Sequence, residues 1–342
     1  MKALVLEQYD QFACRDVPTP APGPEEVLVA VKACGICGSD VHGMDGSTGR
    51  RRPPLIMGHE AAGVIVQTGC GVSAWRVGDR VTFDSTVYCG RCSFCRRGRV
   101  NLCDNRQVLG VSCEEYRRDG AFAEFVAVPQ HVLYRLPDAL SFESAAMAEA
   151  LSIALHAVSR APVTLNSTAV VVGAGMIGLL VIQFLRLAGC GSLIAVDIDA
   201  DKLGLACALG ADEGLLAGDA VLTRIMTLTQ GHGVDHAFEV AGIAPTVRLA
   251  VDATRKGGTL TLVGNLAPTV ELPLQAVVTR EVTLYGSCAS AGEYPTCLEL
   301  LARRAIDVGP LISAVAPLDE GVGWFQRLYH KEKGLMKVIL TP

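Results

Sequence analysis

The chain has 342 residues, of which 50% are hydrophobic and 19% charged, and its formal net charge is −5. This length predicts two domains or one large one, and the composition argues against a disordered, collagen-like or coiled-coil chain. The acidic balance disfavours nucleic-acid binding, and no segment reaches the ~18 uninterrupted apolar residues of a transmembrane helix.

The first ~150 residues are predicted to form short strands. The opening residues alternate and reach Glu7 too early for a signal peptide, so we expect a strand there and a cytoplasmic protein. The prolines of 18–24 predict an exposed loop, and further strands are expected at 26–31, at 63–67 and after the turn at 77–81. Many short strands separated by Gly and Pro predict a partly open antiparallel barrel or sandwich.

Two segments of this region combine side chains that bind metals or move protons. They are Gly35-Ile-Cys-Gly-Ser-Asp-Val-His42 and Gly58-His-Glu-Ala-Ala-Gly63. Taken alone, a histidine at a turn is more often a satisfied polar group than a ligand, and a single cysteine is more often a small buried residue. The two motifs described next favour the interpretation that these segments bind a metal and move a proton.

Four of the thirteen cysteines fall within fifteen residues, at Cys89, Cys92, Cys95 and Cys103. Because the total is odd and no secretory signal is evident, we expect metal ligands or reduced thiols rather than a disulfide scaffold. Four thiolates suit a closed tetrahedral zinc site, which has no open position and is therefore structural. Iron–sulfur ligation is the competing interpretation, although no proline follows the fourth cysteine.

From residue 141 onward, helices alternate with apolar strands. The predicted elements are a helix over 141–159, a strand over 169–172, a helix over 176–187, a strand over 193–196, a helix over 202–209, and strands over 236–240, 258–263 and 282–285. This alternation is typical of a doubly wound parallel sheet.

A helix over 293–303 and an alternating strand over 335–340 end the chain, and we expect that strand to return to the first domain. The expected domains are therefore 1–150 together with 290–342, and 151–289.

A glycine-rich loop follows the first apolar strand. Gly173-Ala-Gly175-Met-Ile-Gly178 fits G-x-G-x-x-G, opens a helix, and is followed by Asp197 at the end of the next strand. In dinucleotide-binding loops the glycines make the turn, admit the pyrophosphate and allow close packing. An acid at position 197 would bind the adenosine ribose and repel a 2′-phosphate, which predicts NAD rather than NADP. A glycine-rich turn without a ligand is the alternative.

Together these segments resemble the zinc-containing medium-chain dehydrogenases, the superfamily of alcohol, sorbitol and threonine dehydrogenases. The stretch from Gly58 to Val72 matches that family's zinc signature, and the resemblance extends over essentially the whole chain. It implies an α/β protein with a Rossmann nucleotide domain and a chaperonin-10-like β-rich catalytic domain, two zinc ions per chain, and a homodimer or homotetramer. The implied reaction transfers a hydride from a secondary alcohol, such as a polyol, to NAD, with zinc stabilising the alkoxide.

The resemblance also implies individual roles. Cys37 and His59 would bind the catalytic zinc, with Glu60 and Glu149 either binding it directly or lying behind it, and the four clustered cysteines would hold the structural zinc. Asp40 would orient His59, while Ser39 and His42 would carry the alcohol proton to solvent. The implied cofactor contacts are Gly173, Gly175, Ile177, Gly178, Asp197, Lys202, Val263, Gly264 and Ser287.

The substrate is less defined. Glu149 favours the polyol and threonine branch over simple alcohol dehydrogenases. Sorbitol-type relatives commonly carry an aromatic residue where this chain has Gly43, and an arginine that 286–289 lacks, so sorbitol itself is in doubt. The arginines of 50–52 are expected in a solvated loop, or against an acid or phosphate of the substrate. The alternatives are a simple alcohol or threonine-type dehydrogenase on the same scaffold, a zinc-free quinone or enoyl reductase, a non-catalytic NAD-binding scaffold and a zinc-ribbon nucleic-acid module.

Overall fold

The computed structural model describes residues 1–111 and 117–342. The chain divides into two compact units, Met1–Glu149 with Ala291–Pro342, and Ala150–Ser290. Within the described residues, no helix combines the length and apolar character needed to cross a bilayer.

The amino-terminal part of the first unit consists mainly of short strands, as predicted. They are β1 (Lys2–Gln8), β2 (Gln11–Asp16), β3 (Glu26–Gly35), β4 (Leu55–Ile56), β5 (Glu60–Thr68), β6 (Arg80–Phe83), β7 (Thr86–Val87), β8 (Gln107–Leu109), β9 (Arg117–Arg118), β10 (Phe125–Pro129) and β11 (Leu133–Arg135). One short helix, α1 (Gly38–Val41), follows β3. The single helix expected over 141–159 is instead two helices, α2 (Phe142–Ala146) and α3 (Ala148–Arg160), separated at Met147.

The second unit alternates strands with helices. Its elements are β12 (Thr168–Val172), α4 (Met176–Leu187), β13 (Ser192–Asp197), α5 (Ala200–Ala208), β14 (Glu213–Leu216), α6 (Val221–Leu228), β15 (Val234–Glu239), α7 (Ala244–Ala253), β16 (Thr254–Leu262), α8 (Leu274–Thr279) and β17 (Thr283–Gly286). The six strands are parallel and lie in the order β14-β13-β12-β15-β16-β17. This confirms the predicted doubly wound sheet, whose strand order reverses at β12, the position where such sheets bind ligands.

The chain then returns to the first unit. The returning elements are α9 (Tyr294–Ala302), β18 (Ile312–Pro317), α10 (Gly321–Tyr329) and β19 (Lys337–Thr341). The predicted return of the last strand is confirmed, because β19 pairs antiparallel with β3. The predicted alternation is wrong: residues 337–340 are all buried, since β19 lies inside the sheet between β3 and β18.

The main sheet of the first unit has seven strands. Six follow the order β11-β6-β5-β3-β19-β18, and β10 also pairs with β3. Two three-stranded sheets, β2-β1-β4 and β7-β8-β9, complete the unit. Side chains of several strands, among them Val29, Ile65, Phe83 and Val126, share one apolar core. The pairing of β3 with β5 and β19 within this sheet brings distant segments together at the carboxyl end of β3.

Candidate active site

The first candidate metal ligand, Cys37, lies where β3 ends and α1 begins. Its thiol caps the helix by accepting hydrogen bonds from Ser39 N at 3.4 Å and from Ser39 Oγ at 3.3 Å. The antiparallel ladder between β3 and β5 pairs Gly35 with Glu60, so the start of β5 lies beside the end of β3. The fold therefore brings together two segments more than twenty residues apart.

Three donor groups converge at this point. The ligand atoms of Cys37, His59 and Glu60 all lie within 4.8 Å of one another. His59 and Glu60 are buried, and Cys37 is half-buried. A thiolate, an imidazole and a carboxylate are the ligand types that zinc prefers, and three protein ligands leave a position open for substrate or water. The donor set therefore fits a catalytic zinc ion.

Asp40 lies next to one ring nitrogen of His59. Asp40 Oδ2 is 3.4 Å from His59 Nδ1, and Asp40 is fully buried. Burial alone would lower the pKa of His59, but the neighbouring Asp40 and Cys37 outweigh it and raise the pKa well above its ordinary value. A carboxylate against one ring nitrogen is the usual way to orient a histidine whose other nitrogen binds a metal.

Two buried cations accompany the two buried acids. Arg51 Nη2 donates to Asp40 Oδ1 at 2.7 Å, and Lys337 Nζ donates to Glu60 Oε2 at 2.5 Å and to the carbonyl of Ile36 at 3.0 Å. Burial opposes ionisation of Asp40, but His59 and Arg51 hold the pKa of Asp40 well below its usual range. For Arg51 the expectation of a solvated loop is wrong, because its side chain is 2% exposed and is paired with Asp40.

The remaining predicted catalytic residues lie around this cluster. Ser39 and His42 are exposed at the two ends of α1. Glu149 is half-buried in the first turn of α3, and it is not among the three residues whose ligand atoms converge. Burial raises the pKa of Glu149 to about 7, although the nearby His59 acts in the opposite direction.

The four clustered cysteines form a second candidate metal site. Their sulfur atoms all lie within 4.8 Å of one another, and Cys92 Sγ is 3.5 Å from Cys95 Sγ. Cys103 Sγ accepts hydrogen bonds from the backbone N–H groups of Cys89 and Asn105, each at 3.3 Å. All twelve cysteines in the described ranges are free thiols. Four convergent sulfurs fit a closed tetrahedral zinc site.

The thiols of this site differ in proton affinity. Backbone N–H groups of Arg91 and Cys92 lower the pKa of Cys89 to about 6, because they donate to its thiolate. Burial and the neighbouring sulfurs of Cys92 and Cys103 raise the pKa of Cys95 to about 12. Different pKa values are expected where several thiols lie close together, because ionisation of one disfavours ionisation of the next. A bound cation favours the thiolate form of all of them.

In the second unit, the glycine loop lies at the carboxyl end of β12 and opens α4. Gly173 has φ +105°, and a side chain at Gly178 would collide with the carbonyl oxygen of Gly173. At Gly175, in contrast, an added Cβ would meet no atom within 4 Å. The loop is therefore packed closely where Gly178 meets Gly173, but it has free space at Gly175. In that space the free N–H groups at the start of α4, including that of Ile177, can receive a phosphate.

Asp197 ends β13 beside this loop. Its Oδ2 accepts from Ala174 N at 2.7 Å, and its Oδ1 accepts from Asp199 N at 3.0 Å. These bonds fix the carboxylate next to the glycine loop. Lys202 Nζ lies 4.0 Å from Asp199 Oδ2, so the lysine is directed toward an acid of the same turn.

Val263, Gly264 and Ser287 lie at the same edge of the sheet. Val263 and Gly264 follow β16 and donate their N–H groups to the carbonyl of Glu239 at 2.9 and 3.1 Å. Ser287 follows β17 and donates its N–H to the carbonyl of Leu262 at 3.0 Å. The carboxyl ends of parallel strands meet at one edge, so these residues and the glycine loop flank one ligand-binding edge of the second unit.

The sequence analysis assigned no role to Lys337 or Glu239, and it placed Arg51 only in a loop that is solvated or faces the substrate. The fully buried Glu239 Oε1 accepts from Ala241 N at 2.9 Å, Gly242 N at 2.7 Å and Thr246 Oγ1 at 2.6 Å, which holds the turn beside Gly173. The available signal for Glu239 was its place at the carboxyl end of a predicted strand. Nothing in the sequence indicates that Arg51 and Lys337 are buried, because only the fold shows this.

Comparison with known proteins gives matches over both units. The family profile "Alcohol dehydrogenase GroES-like domain" matches residues 23–138, and "Zinc-binding dehydrogenase" matches residues 177–303. Sorbitol dehydrogenase of Bacillus subtilis (strain 168) is 34% identical and the match covers 100% of this chain and 97% of that protein. D-arabitol-phosphate dehydrogenase of Enterococcus avium is 34% identical over 91% of this chain and 89% of that protein. A crystal structure from Sinorhizobium meliloti 1021, bound to NADP, is 34% identical with a TM-score of 0.91, covering 100% and 99% of the two chains.

Proposed function

The chain belongs to the zinc-containing medium-chain dehydrogenase superfamily and is an oxidoreductase, and we propose that it oxidises a secondary hydroxyl of a polyol or polyol phosphate with NAD as the hydride acceptor. The observation that carries this proposal is the convergence of Cys37, His59 and Glu60 within 4.8 Å, with Asp40 behind the histidine. In this proposal the first unit is catalytic and the second unit binds the dinucleotide.

Cys37, His59 and Glu60 would hold the catalytic zinc, and Cys89, Cys92, Cys95 and Cys103 a structural one. When bound, the catalytic zinc supplies a Lewis acid that favours loss of the proton from a substrate hydroxyl. Asp40 keeps the ring of His59 in a fixed orientation. Glu149, with its pKa raised to about 7, is close enough to His59 and Glu60 to act either as a further ligand or as a hydrogen-bond partner for substrate or water.

The proton leaves through the side chains of α1. Ser39 Oγ lies 3.3 Å from Cys37 Sγ, which puts a hydroxyl next to the proposed metal ligand. As Ser39 takes the proton of the substrate hydroxyl, it gives its own hydroxyl proton to a ring nitrogen of His42, and the exposed His42 passes that proton to solvent. Ser39 and His42 are three positions apart, and such positions share one face of a helix.

The dinucleotide would bind at the carboxyl edge of the second unit's sheet. When bound, its nicotinamide accepts the hydride from the carbinol carbon. The open space above Gly175 and the start of α4 receive the pyrophosphate, and Asp197 accepts hydrogen bonds from the adenosine ribose. Asp197, with Asp199 and Asp201 in the same turn, disfavours a 2′-phosphate. This supports NAD, whereas the Sinorhizobium relative was crystallised with NADP.

The substrate class follows from the relatives. One acts on sorbitol and another on D-arabitol phosphate, both of which carry secondary hydroxyls. We also propose assembly into a homodimer or homotetramer through β17, which is an edge strand of its sheet and therefore has unpaired backbone groups.

Elemental analysis together with a substrate panel tests the proposal. The purified protein should hold two zinc ions per chain and reduce NAD with at least one class among polyols, polyol phosphates, threonine and simple alcohols. NADP is offered in parallel at equal concentration. One zinc per chain and no turnover with any class would leave only the four-cysteine site loaded, and would refute the proposed reaction.

A further inference from the structure

Arg51 has the environment of a core residue, although it lies in a loop rich in arginine. Its side chain is 2% exposed, and Nη2 donates to Asp40 Oδ1 at 2.7 Å. The same nitrogen lies 3.4 Å from Ser39 Oγ, and Nη1 lies 3.4 Å from the carbonyl oxygen of Arg50. One guanidinium therefore contacts both the acid behind His59 and the hydroxyl beside Cys37.

The two oxygens of Asp40 face different partners. Oδ1 is bonded to Arg51, and Oδ2 lies 3.4 Å from His59 Nδ1. A carboxylate that contacts only a histidine can rotate about its own bond to the chain, whereas a planar guanidinium on the second oxygen fixes its direction. Because Asp40 is fully buried, its carboxylate depends on protein partners for this orientation.

Gly43 provides an independent observation. A Cβ at this position would lie 2.7 Å from Arg51 Cγ and 2.9 Å from the carbonyl oxygen of Ser39. Contacts this short do not occur, so the aliphatic part of Arg51 occupies the space that any side chain at position 43 would need. The chain thus combines a glycine at position 43 with a buried arginine at position 51.

We propose that Arg51 is a positioning residue for the Cys37–His59–Glu60 site: it holds Asp40, and through Asp40 it fixes the orientation of His59 as a zinc ligand. The inference rests on the proposed function, because it requires that these residues bind zinc. Loss of partners behind a metal ligand typically lowers metal affinity by about 10–100-fold. The four-cysteine site does not contact Arg51 and serves as an internal reference in the same molecule.

The test measures zinc release rather than activity. Wild type, Arg51→Met, Arg51→Lys and Arg135→Met are loaded with zinc, and release to a colorimetric chelator is followed over time. Arg135 is the matched control, because it forms an arginine–carboxylate pair with the buried Asp79 in the same unit, at 2.7 and 3.0 Å. We expect Arg51→Met to release one of its two zinc ions at least about tenfold faster than wild type. Arg51→Lys should be intermediate, and Arg135→Met should match wild type.

Two further variants keep the result interpretable if Arg51→Met folds poorly. Gly43→Ala retains both charges but displaces Arg51, and it should also speed the release of one zinc ion. In an Asp40→Asn background, adding Arg51→Met should change the release rate little, because Arg51 acts through Asp40.

The outcomes separate the inference from the proposed function. Zinc release from Arg51→Met at the wild-type rate would overturn the inference, as would an undiminished effect of Arg51→Met in the Asp40→Asn background. A wild-type protein that holds only one zinc ion, with the four-cysteine site loaded, would overturn the proposed function and the inference with it.

Discussion

Replacing Lys337 with methionine tests how much the buried ion pair between Lys337 and Glu60 contributes to the stability of the first unit. Lys337 Nζ lies 2.5 Å from Glu60 Oε2, and the two side chains are 2% and 1% exposed. Methionine fills nearly the same volume but carries no charge. In Lys337→Met the carboxylate therefore loses its buried partner, and the carbonyl of Ile36 loses a donor at 3.0 Å.

The size of the effect follows from the loss of one partner of a buried ion pair. Removing one partner while the other stays buried typically costs about 3–5 kcal/mol. That cost includes the lost hydrogen bond to the carbonyl of Ile36, which contributes about 1 kcal/mol. The unfolding free energy of Lys337→Met should therefore be about 3–5 kcal/mol lower than that of the wild type.

Urea unfolding followed by tryptophan fluorescence measures these values. The chain has two tryptophans, Trp75 and Trp324, and both lie in the first unit, so the signal reports on that unit. A chelator is present throughout, because a bound metal would neutralise Glu60. The control is Glu60→Gln with Lys337→Met, which removes both charges and should recover most of the lost stability. A loss of less than about 1 kcal/mol in Lys337→Met, or a double variant as unstable as Lys337→Met, would refute the reasoning.

Four further predictions address the remaining groups. Cys37→Ala should lower the zinc content by one ion per chain and abolish turnover while the four-cysteine zinc stays bound, as elemental analysis would show. Cys95→Ser should remove the other zinc ion and lower the melting temperature by roughly 5 °C or more; an unchanged zinc content would contradict this. Asp197→Ala should reduce the preference for NAD over NADP in kcat/KM by about 10–100-fold. Because the pKa of Glu149 is raised to about 7, its ionisation costs stability as pH rises from about 4.5 through 7, so Glu149→Gln in the chelated protein should be roughly 1–3 kcal/mol more stable than wild type at pH 8 and equal to it at pH 4.

The second unit was the most predictable part of the fold. The helix expected over 176–187 has those bounds in α4, and the strands expected at 169–172 and 193–196 lie within β12 and β13. These elements are specified locally, because glycines mark their ends and their apolar runs are long enough to identify them. The assignment of individual site residues stays a prediction, although the structure does bring Cys37, His59 and Glu60 together.

The features that were missed depend on contacts between distant segments. No glycine or proline marks the break between α2 and α3 at Met147, which is fully buried. Lys337 reads as an ordinary polar residue inside the predicted strand, yet its partner Glu60 is 277 residues away. Arg51 reads as part of a solvated basic run, yet it is buried, pairs with Asp40 and packs against Gly43. Local patterns carry no information about such partners.

The buried side chains of Arg51 and Lys337 determine how much negative charge remains around the Cys37–His59–Glu60 site. Arg51 offsets Asp40 and Lys337 offsets Glu60, so each of these two buried acids has a buried cation as its partner. Without Arg51 and Lys337, both acids would add negative charge next to a bound divalent ion and offset much of its charge. With the two cations in place, more of that charge would remain to stabilise the anion of a substrate hydroxyl in the proposed reaction. The lysine and the arginine thus matter to the proposed chemistry as much as the ligands, because they let the protein use acids to hold and orient the metal site without neutralising the ion.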